Sequence, residues 1–478
     1  MTFRSHERRG LAYHDGMRAR PARSGTGGRP LAALILAARV GAIAGAAAAA
    51  TLPTSACGGE DAADGDGAVD GAPADARGPT ATEVFDPTVV RRFELTVAPA
   101  DWAAINADPR AEVYVPADLR YGDATLSRIA VRFKGGVGSL GLCFDAQGNR
   151  LCPKLSMKLK FDEYVRGQRF AGLKRLNFHA MMRDPSHMKD RLGYGLFRAA
   201  GVPAPRSVHA RLVVNGEDLG VFALVEAIDG EFVEDHFRAV DGSGDGNLYK
   251  EVWPLYPTAQ PYLNALETNE DDGPSVERMI RFAAAIAGAD ATTLRAVLGA
   301  WMDLPTLVSF LAVDRLIDNW DGIVGWYCNQ AGTCFNHNYY WYEEVGRDRV
   351  WLVPWDLDNT MQVPSPIRTA YGMPDWNASP TDCALRPIFL GFYGRPPACD
   401  QLIGLMAEVL WPDYQARTAE LLAGPAAAAA LEAELAAMEA LLAPEVATDV
   451  LGPGLAAWQQ AVADLRADLP ALRARVAP

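Results

Sequence analysis

The sequence predicts an α+β protein with a helical C-terminal part. Three observations carry that reading: alternating apolar and polar residues in several segments between 126 and 229, helix patterns framed by capping residues in the middle of the chain, and an alanine-rich helical run from about Gln401. The 478 residues, 49% of them hydrophobic, are ample for a core and too many for one ordinary domain without additions.

The elements follow in order. "LSRIAVRFKGG" and "KLSMKLKFDEY" alternate as strands do, and "VHARLVVNGEDLGVFALVEAID" reads as two strands around an Asn215-Gly216 hairpin turn. Between them "RDPSHMKDRLGYGLFRAAG" reads as a helix, with Asp184 as N-cap, Pro185 at the first helical position, Met188, Leu192 and Leu196 on one stripe, and Gly201 as terminator. A second helix, "DLPTLVSFLAVDRLIDNW", follows Asp303. The end of the chain, with "AAAAALEAELAAMEALL" and "WQQAVADLRADLPALRARV", is helical, and no internal repeat is visible.

The first 57 residues read as a targeting leader. Basic residues up to Arg29 precede an alanine-rich apolar run from Leu31 to Leu52, then "TSAC" ends at Cys57 in the manner of a bacterial lipoprotein cleavage box, with Thr54 where leucine is usual. Lipidation, plain secretion and an uncleaved anchor are the three outcomes, each placing the protein in the cell envelope or outside it, with contact to a membrane only through this segment. Met17 is an alternative start. Residues 58–82 are small, acidic and poor in aromatics, the composition of a flexible linker. A folded domain is expected over 83–405 and a helical extension over 406–478.

Cysteine usage points the same way. Apart from Cys57, six cysteines form the couples Cys143 and Cys152, Cys328 and Cys334, Cys383 and Cys399, each flanking a polar loop, which suits disulfides in an oxidising compartment. No CxxC occurs and the seven histidines are scattered, against a zinc site. The net charge of −14 argues against nucleic acid as a partner.

Strands, one helix and more strands, then helices and a late strand ending in acids, is the order of a bilobal kinase, so phosphoryl-transfer chemistry is the chemistry to seek. "GGVGSLG" sets Gly136, Gly138 and Gly141 in a GxGxxG spacing after a strand; it serves either to approach phosphates or as a plain hairpin loop. Lys154, Lys158 and Lys160 alternate onto one face, either a solvated sheet surface or a phosphate site, with Lys158 the choice for the latter. Asp314 and Asp318 share a helix face and read as a solvated stripe, whereas Asp321 lies beyond the helix end. "HNYYWY" and "WLVPWDLD", joined by "EEVGRDR", form an expected hairpin that brings Asn338 near Asp356, an oxygen-rich arrangement of the kind Mg²⁺ prefers. "DGSGDG" from Asp241 has partial calcium-loop spacing, with Val252 where a glutamate belongs; a glycine-rich turn explains it as well.

The runs "KLSMKLKFD", "LKRLNFHAMMRDPSHMKDRLGYGLFRAAGVPAPR", "LVVNGEDLGVFALVEAID", "NLYK", "NWDG", "NHNYYWY" and "VPWDLDNTM" together resemble the spore-coat protein kinase CotH family, over roughly Phe93 to Leu405. The resemblance implies an atypical protein-kinase-like bilobal fold and transfer of the ATP γ-phosphate to protein serine or threonine hydroxyls with Mg²⁺ or Mn²⁺. It implies Asp321 as the catalytic aspartate, Asp356 and Asn338 as metal contacts, Lys158 as the phosphate lysine and Glu226 at the adenine. Lys134 stands where the family usually has arginine, beside Gly136 and Gly138. The helix after Asp184 holds no glutamate to pair with a lysine, and Asp190 reads as a poor substitute. The alternative is a non-catalytic surface module on the same fold, binding protein or polysaccharide, which the eleven tryptophans and the loop disulfides would suit.

Overall fold

The computed structural model describes residues 78–136, 140–379 and 381–478. The leader and most of the linker lie outside them, as does Gly138 of the glycine-rich run. Seven strands come first: β1 (Arg91–Val97), β2 (Val115–Tyr121), β3 (Ala124–Phe133), β4 (Met157–Lys160), β5 (Arg175–His179), β6 (Ser207–Val214) and β7 (Glu217–Glu226). They close into a barrel of order β1-β2-β3-β4-β5-β7-β6, the seam being the parallel pair β1 and β6. Alternation decides what faces inward: Phe93, Val131, Met157, Leu159, Phe178, Phe222 and others fill the barrel as one apolar cluster.

The outer face of β7 is buried as well. Val221, Ala223 and Val225 belong to a second, larger core formed with the helices, which is why "VFALV" shows no polar alternation. Asn215 and Gly216, with φ of 53° and 83°, make the tight β6–β7 turn expected of them.

Helix α1 (Lys189–Ala199) crosses between β5 and β6. It starts four residues later than its capping residues suggest: Asp184 does receive the Lys189 amide, at 2.8 Å, but from a turn containing Pro185, and Met188 occupies the N-cap. Met188, Leu192 and Leu196 are buried as the stripe requires, and Gly201 ends the run at φ 80°. Helix α2 (Gly230–Asp241) leads to β8 (Leu248–Lys250), and α3 (Leu304–Leu316) follows several shorter helices. Asp303 caps α3 by accepting the Thr306 amide at 3.0 Å. Strands β9 (Trp326–Cys328) and β10 (Cys334–Phe335) then precede the hairpin of β11 (Tyr339–Glu343) and β12 (Val350–Pro354), which joins β8 in the order β12-β11-β8. Strands β13 (Arg386–Pro387) and β14 (Tyr393–Arg395) extend the β9–β10 pair. The chain ends in α4 (Gln401–Val409), α5 (Trp411–Ala423), α6 (Ala428–Thr448) and α7 (Leu455–Val476).

Two expectations are corrected. α3 is buried almost all round, so Asp314 and Asp318 are no solvated stripe. Asp314 pairs with Arg315 and Asn319, while Asp318 meets Arg368 and Arg475, each at 2.9 Å. Lys154 does not share a face with Lys158: it precedes β4 and is buried against Asp449 at 2.9 Å. The C-terminal helices α4 to α7 share one core with α1 and α3. The three cysteine couples are disulfides, Cys143–Cys152, Cys328–Cys334 and Cys383–Cys399.

Candidate functional site

The hairpin turns sharply where its apolar strands stop. Tyr339 pairs with Pro354, the Trp355 amide donates to the Asn338 carbonyl at 3.1 Å, and both Asn338 and Asp356 adopt left-handed backbone, φ 64° and 52°. For non-glycine residues such a conformation needs support from its surroundings. Here it comes from α1: the Asp356 amide donates to the Tyr194 hydroxyl at 2.9 Å and the Leu357 amide to Asp190 at 3.2 Å.

Asp321 lies in the loop after α3, held from three directions. Asn338 donates its amide to the Asp321 carboxylate at 3.1 Å and to its backbone carbonyl at 3.0 Å. Asn359 donates to the same carboxylate oxygen at 3.1 Å, and the Tyr327 hydroxyl donates to the other. Burial, together with the nearby Asp356 charge, raises the Asp321 carboxyl above the ordinary carboxylate range. Asp358 rises furthest, from burial and the charges of Asp356, Asp190 and Asp321, and Asp356 rises too, chiefly from burial.

Cations face these acids. Lys158 projects from the outer face of β4, opposite Arg132 and Asn177 in the neighbouring strands. Burial and the charges of Arg175, Lys134 and Arg132 push its ammonium down to about 7, and no ion pair or hydrogen bond engages it among the described residues. Lys134, just past β3, lies over the Trp355 ring at 5.3 Å, lowered by burial to about 8 despite the Asp356 charge. It donates to His179 Nε2 at 3.0 Å, and His179 Nδ1 in turn meets Asp190 at 3.0 Å. A donor at Nε2 fixes the imidazole proton on Nδ1. Lys250 at the end of β8 adds a further charge acting on Asp356, and beside it Glu251 accepts the Asn338 amide at 3.2 Å. Against the cost of burial, the Lys250 charge holds Glu251 at about 2.

Asp321, Asn338, Asp356 and Lys134 therefore come together, and Lys158 lies close enough to Lys134 to feel its charge. Gly136 lies two residues beyond Lys134, its carbonyl accepting the Gly141 amide at 3.1 Å. Glu226 is elsewhere: it follows the barrel-facing parity of Phe222 and Leu224, opposite to Lys158, and Arg206 engages its carboxylate. Asp190 meets Lys134 through His179 and accepts the Leu357 amide of the Asp356 loop directly. Sequence reasoning also passed over His179, Lys250 and Asn359. Asp358, two residues beyond Asp356 in an already conspicuous run, was the legible one.

The residues starting at Asp241 close the end of α2, Asp241 accepting the Ser243 and Gly244 amides, and make an ordinary turn. Among the described residues no three His, Cys, Asp or Glu side chains are grouped to hold a metal ion by themselves. Mg²⁺ with a nucleotide needs only one or two carboxylates, because phosphates complete its shell. The raised Asp356 and Asp358 carboxyls, crowded by like charges, suit such a cation.

The structure is thus an α+β body in which buried acids and lysines lie close to one another. The chain matches the family model "CotH kinase protein" over residues 131–467, well over half its length, and belongs to that family. It is also similar to the inner spore coat protein H of Bacillus subtilis (strain 168), 22% identical over 277 residues, covering 56% of this chain and 68% of that one.

Proposed function

We propose that the protein is a metal-dependent protein kinase of the CotH type, transferring the γ-phosphoryl group of ATP to a serine or threonine hydroxyl of a protein substrate. The observation that carries the reading is the double clamp on Asp321: Asn338 from the hairpin and Asn359 from the Asp356 loop both donate to it, at 3.1 Å each. The acid that would receive the hydroxyl proton is thereby tied to the segment that would hold metal.

Each group then has a role. Asp321 orients the attacking hydroxyl and takes its proton, a task suited to a carboxyl raised by burial. Asp356 holds the divalent cation with Asn338, whose amide nitrogen is committed to Asp321 and whose Oδ1 remains for the cation. Asp358 adds negative charge beside them. Bound Mg²⁺ or Mn²⁺ supplies electrostatic stabilisation to the phosphates. Lys158 and Lys134 neutralise phosphate oxygens from the barrel side, and the His179–Asp190 relay keeps Lys134 aimed. Glu226 has no part in this arrangement. The three disulfides support an exported or envelope location.

The test is incorporation of labelled γ-phosphate by the purified chain with its disulfides intact, beside Asp321→Ala. Metal-dependent transfer lost in the variant supports the reading. A chain that neither transfers phosphate nor is stabilised by ATP with metal is a binding module instead.

A further inference from the structure

Helix α1 has two working faces. Asp190, Gly193 and Tyr194 point at the Asp356 loop; a Cβ on Gly193 would come within 2.7 Å of the Leu357 side chain. Arg191, Gly195 and Arg198, again spaced as one helix face, line a cavity of about 490 Å³ on another side of the helix. The segment through Phe85 and Pro87, the start of β6 and the start of α6 complete its walls.

The lining is mostly apolar, with Arg191, Arg198, Arg206, Ser207 and Glu434 as its polar members. Arg191 donates to Glu434 at 2.9 Å and to the Pro87 carbonyl at 2.8 Å, and Arg206 is neutralised by Glu226. Arg198 reaches only the Pro205 carbonyl, with no ion pair among the described residues; burial lowers its pKa, the Glu226 charge opposing the shift and the Arg206 and Arg191 charges adding to it. Ser207, also on the wall, is 3% exposed and its hydroxyl has no hydrogen-bond partner among the described residues. Buried hydroxyls are ordinarily bonded. Leu192, Leu196 and Leu431 make up apolar wall, and a Cβ on Gly195 would meet nothing within 4 Å.

We propose that this cavity is a binding site for a small amphipathic oxyanion, its phosphate or carboxylate head on Arg198 and Ser207 and its apolar body along the leucines. A guanidinium fork matches the paired oxygens of such a head, and the volume is that of a small-molecule site. The ligand braces α1 from behind while the same helix supports the Asp356 loop from its other side, which makes it an effector of the site. That regulatory half rests on the kinase reading; the binding half does not.

The experiment is calorimetric titration of the full chain with n-octyl phosphate and n-octanoate, with n-octanol as a headless control and inorganic phosphate as a tailless one. One saturable site is expected for at least one amphiphile, at least tenfold tighter than either control, and the stronger of the two identifies the head group. Arg198→Gln should weaken binding at least tenfold. Gly195→Leu should abolish it: its Cβ displaces no atom and it replaces a helix-interior glycine with a better helix former. Unchanged circular dichroism certifies both variants. Binding undiminished in Gly195→Leu, binding lost in Lys158→Met, or no binding at millimolar amphiphile each overturn the site. If phosphoryl transfer proves absent while binding behaves as stated, only the effector role falls.

Discussion

Asn338 holds Asp321 twice, its side-chain amide donating to the carboxylate at 3.1 Å and to the backbone carbonyl at 3.0 Å. The two residues come from different segments, Asp321 lying in the loop after α3 and Asn338 opening the β11–β12 hairpin. Asn338→Ala removes both bonds and leaves two half-buried acceptors short of a donor. The expected result is a loss of about 1–2 kcal/mol in stability and a fall of about 100-fold in phosphoryl transfer, measured by thermal unfolding and by labelled phosphate.

Asp356 makes the opposite prediction for stability. Its folded pKa lies above the unfolded value, chiefly through burial, so the native state holds more protons there. The metal-free protein therefore loses stability as pH rises from the ordinary carboxylate range through the folded pKa. Asp356→Asn should raise the melting temperature of the metal-free chain by about 1–3 °C at neutral pH, and Mg²⁺ with ATP should stabilise the natural chain but not the variant.

Lys158 titrates near 7 because burial and three nearby cations oppose its charge. At pH 8 it is mostly neutral, and a bound triphosphate favours the ammonium. Nucleotide binding at pH 8 should therefore take up protons, most of them on Lys158 and a smaller share on Lys134, which burial lowers to about 8, read from calorimetric heats in buffers of different ionisation enthalpy. At pH 6 the uptake should vanish, and Lys158→Met should keep only the smaller Lys134 share at pH 8.

The His179 relay distinguishes its own variants. His179→Ala leaves Lys134 and Asp190 without their shared partner at a largely buried site, with an expected cost of about 2–4 kcal/mol. Glutamine can accept from Lys134 and donate to Asp190 with one amide, so His179→Gln should recover much of the stability and of the transfer rate. Equal damage from both variants would remove the relay from the account.

The sequence shows where a single physical signal suffices. The β6–β7 hairpin, the cap of α3 and the β11–β12 pairing of Asn338 against Trp355 follow from turn chemistry and alternation, all local. β2 gave no such signal, because "VPADLRY" carries a proline and the strand is bulged between Ala117 and Leu119. The burial of Asp314 and Asp318 was hidden for another reason. Asp318 meets Arg368 and Arg475, far along the chain, and i,i+4 spacing says nothing about what packs on a helix from outside. Lys154 shows the same limit: period-two reasoning extended β4 three residues beyond where the strand begins. At the site, motif order brought Asp321, Asn338 and Asp356 into view, but Asp190 was discounted because a direct lysine pair was sought. The bridging imidazole is a tertiary arrangement that no spacing rule contains.

The most direct test of the central claim is transfer of the labelled γ-phosphate of ATP to protein hydroxyls, followed in the full chain with Mg²⁺ or Mn²⁺ and in Asp321→Ala under the same conditions. The account expects metal-dependent transfer in the natural chain and a loss of about 1,000-fold in the variant, with circular dichroism unchanged. Equal incorporation in both chains, or none in the natural one despite intact disulfides and bound nucleotide, would contradict it.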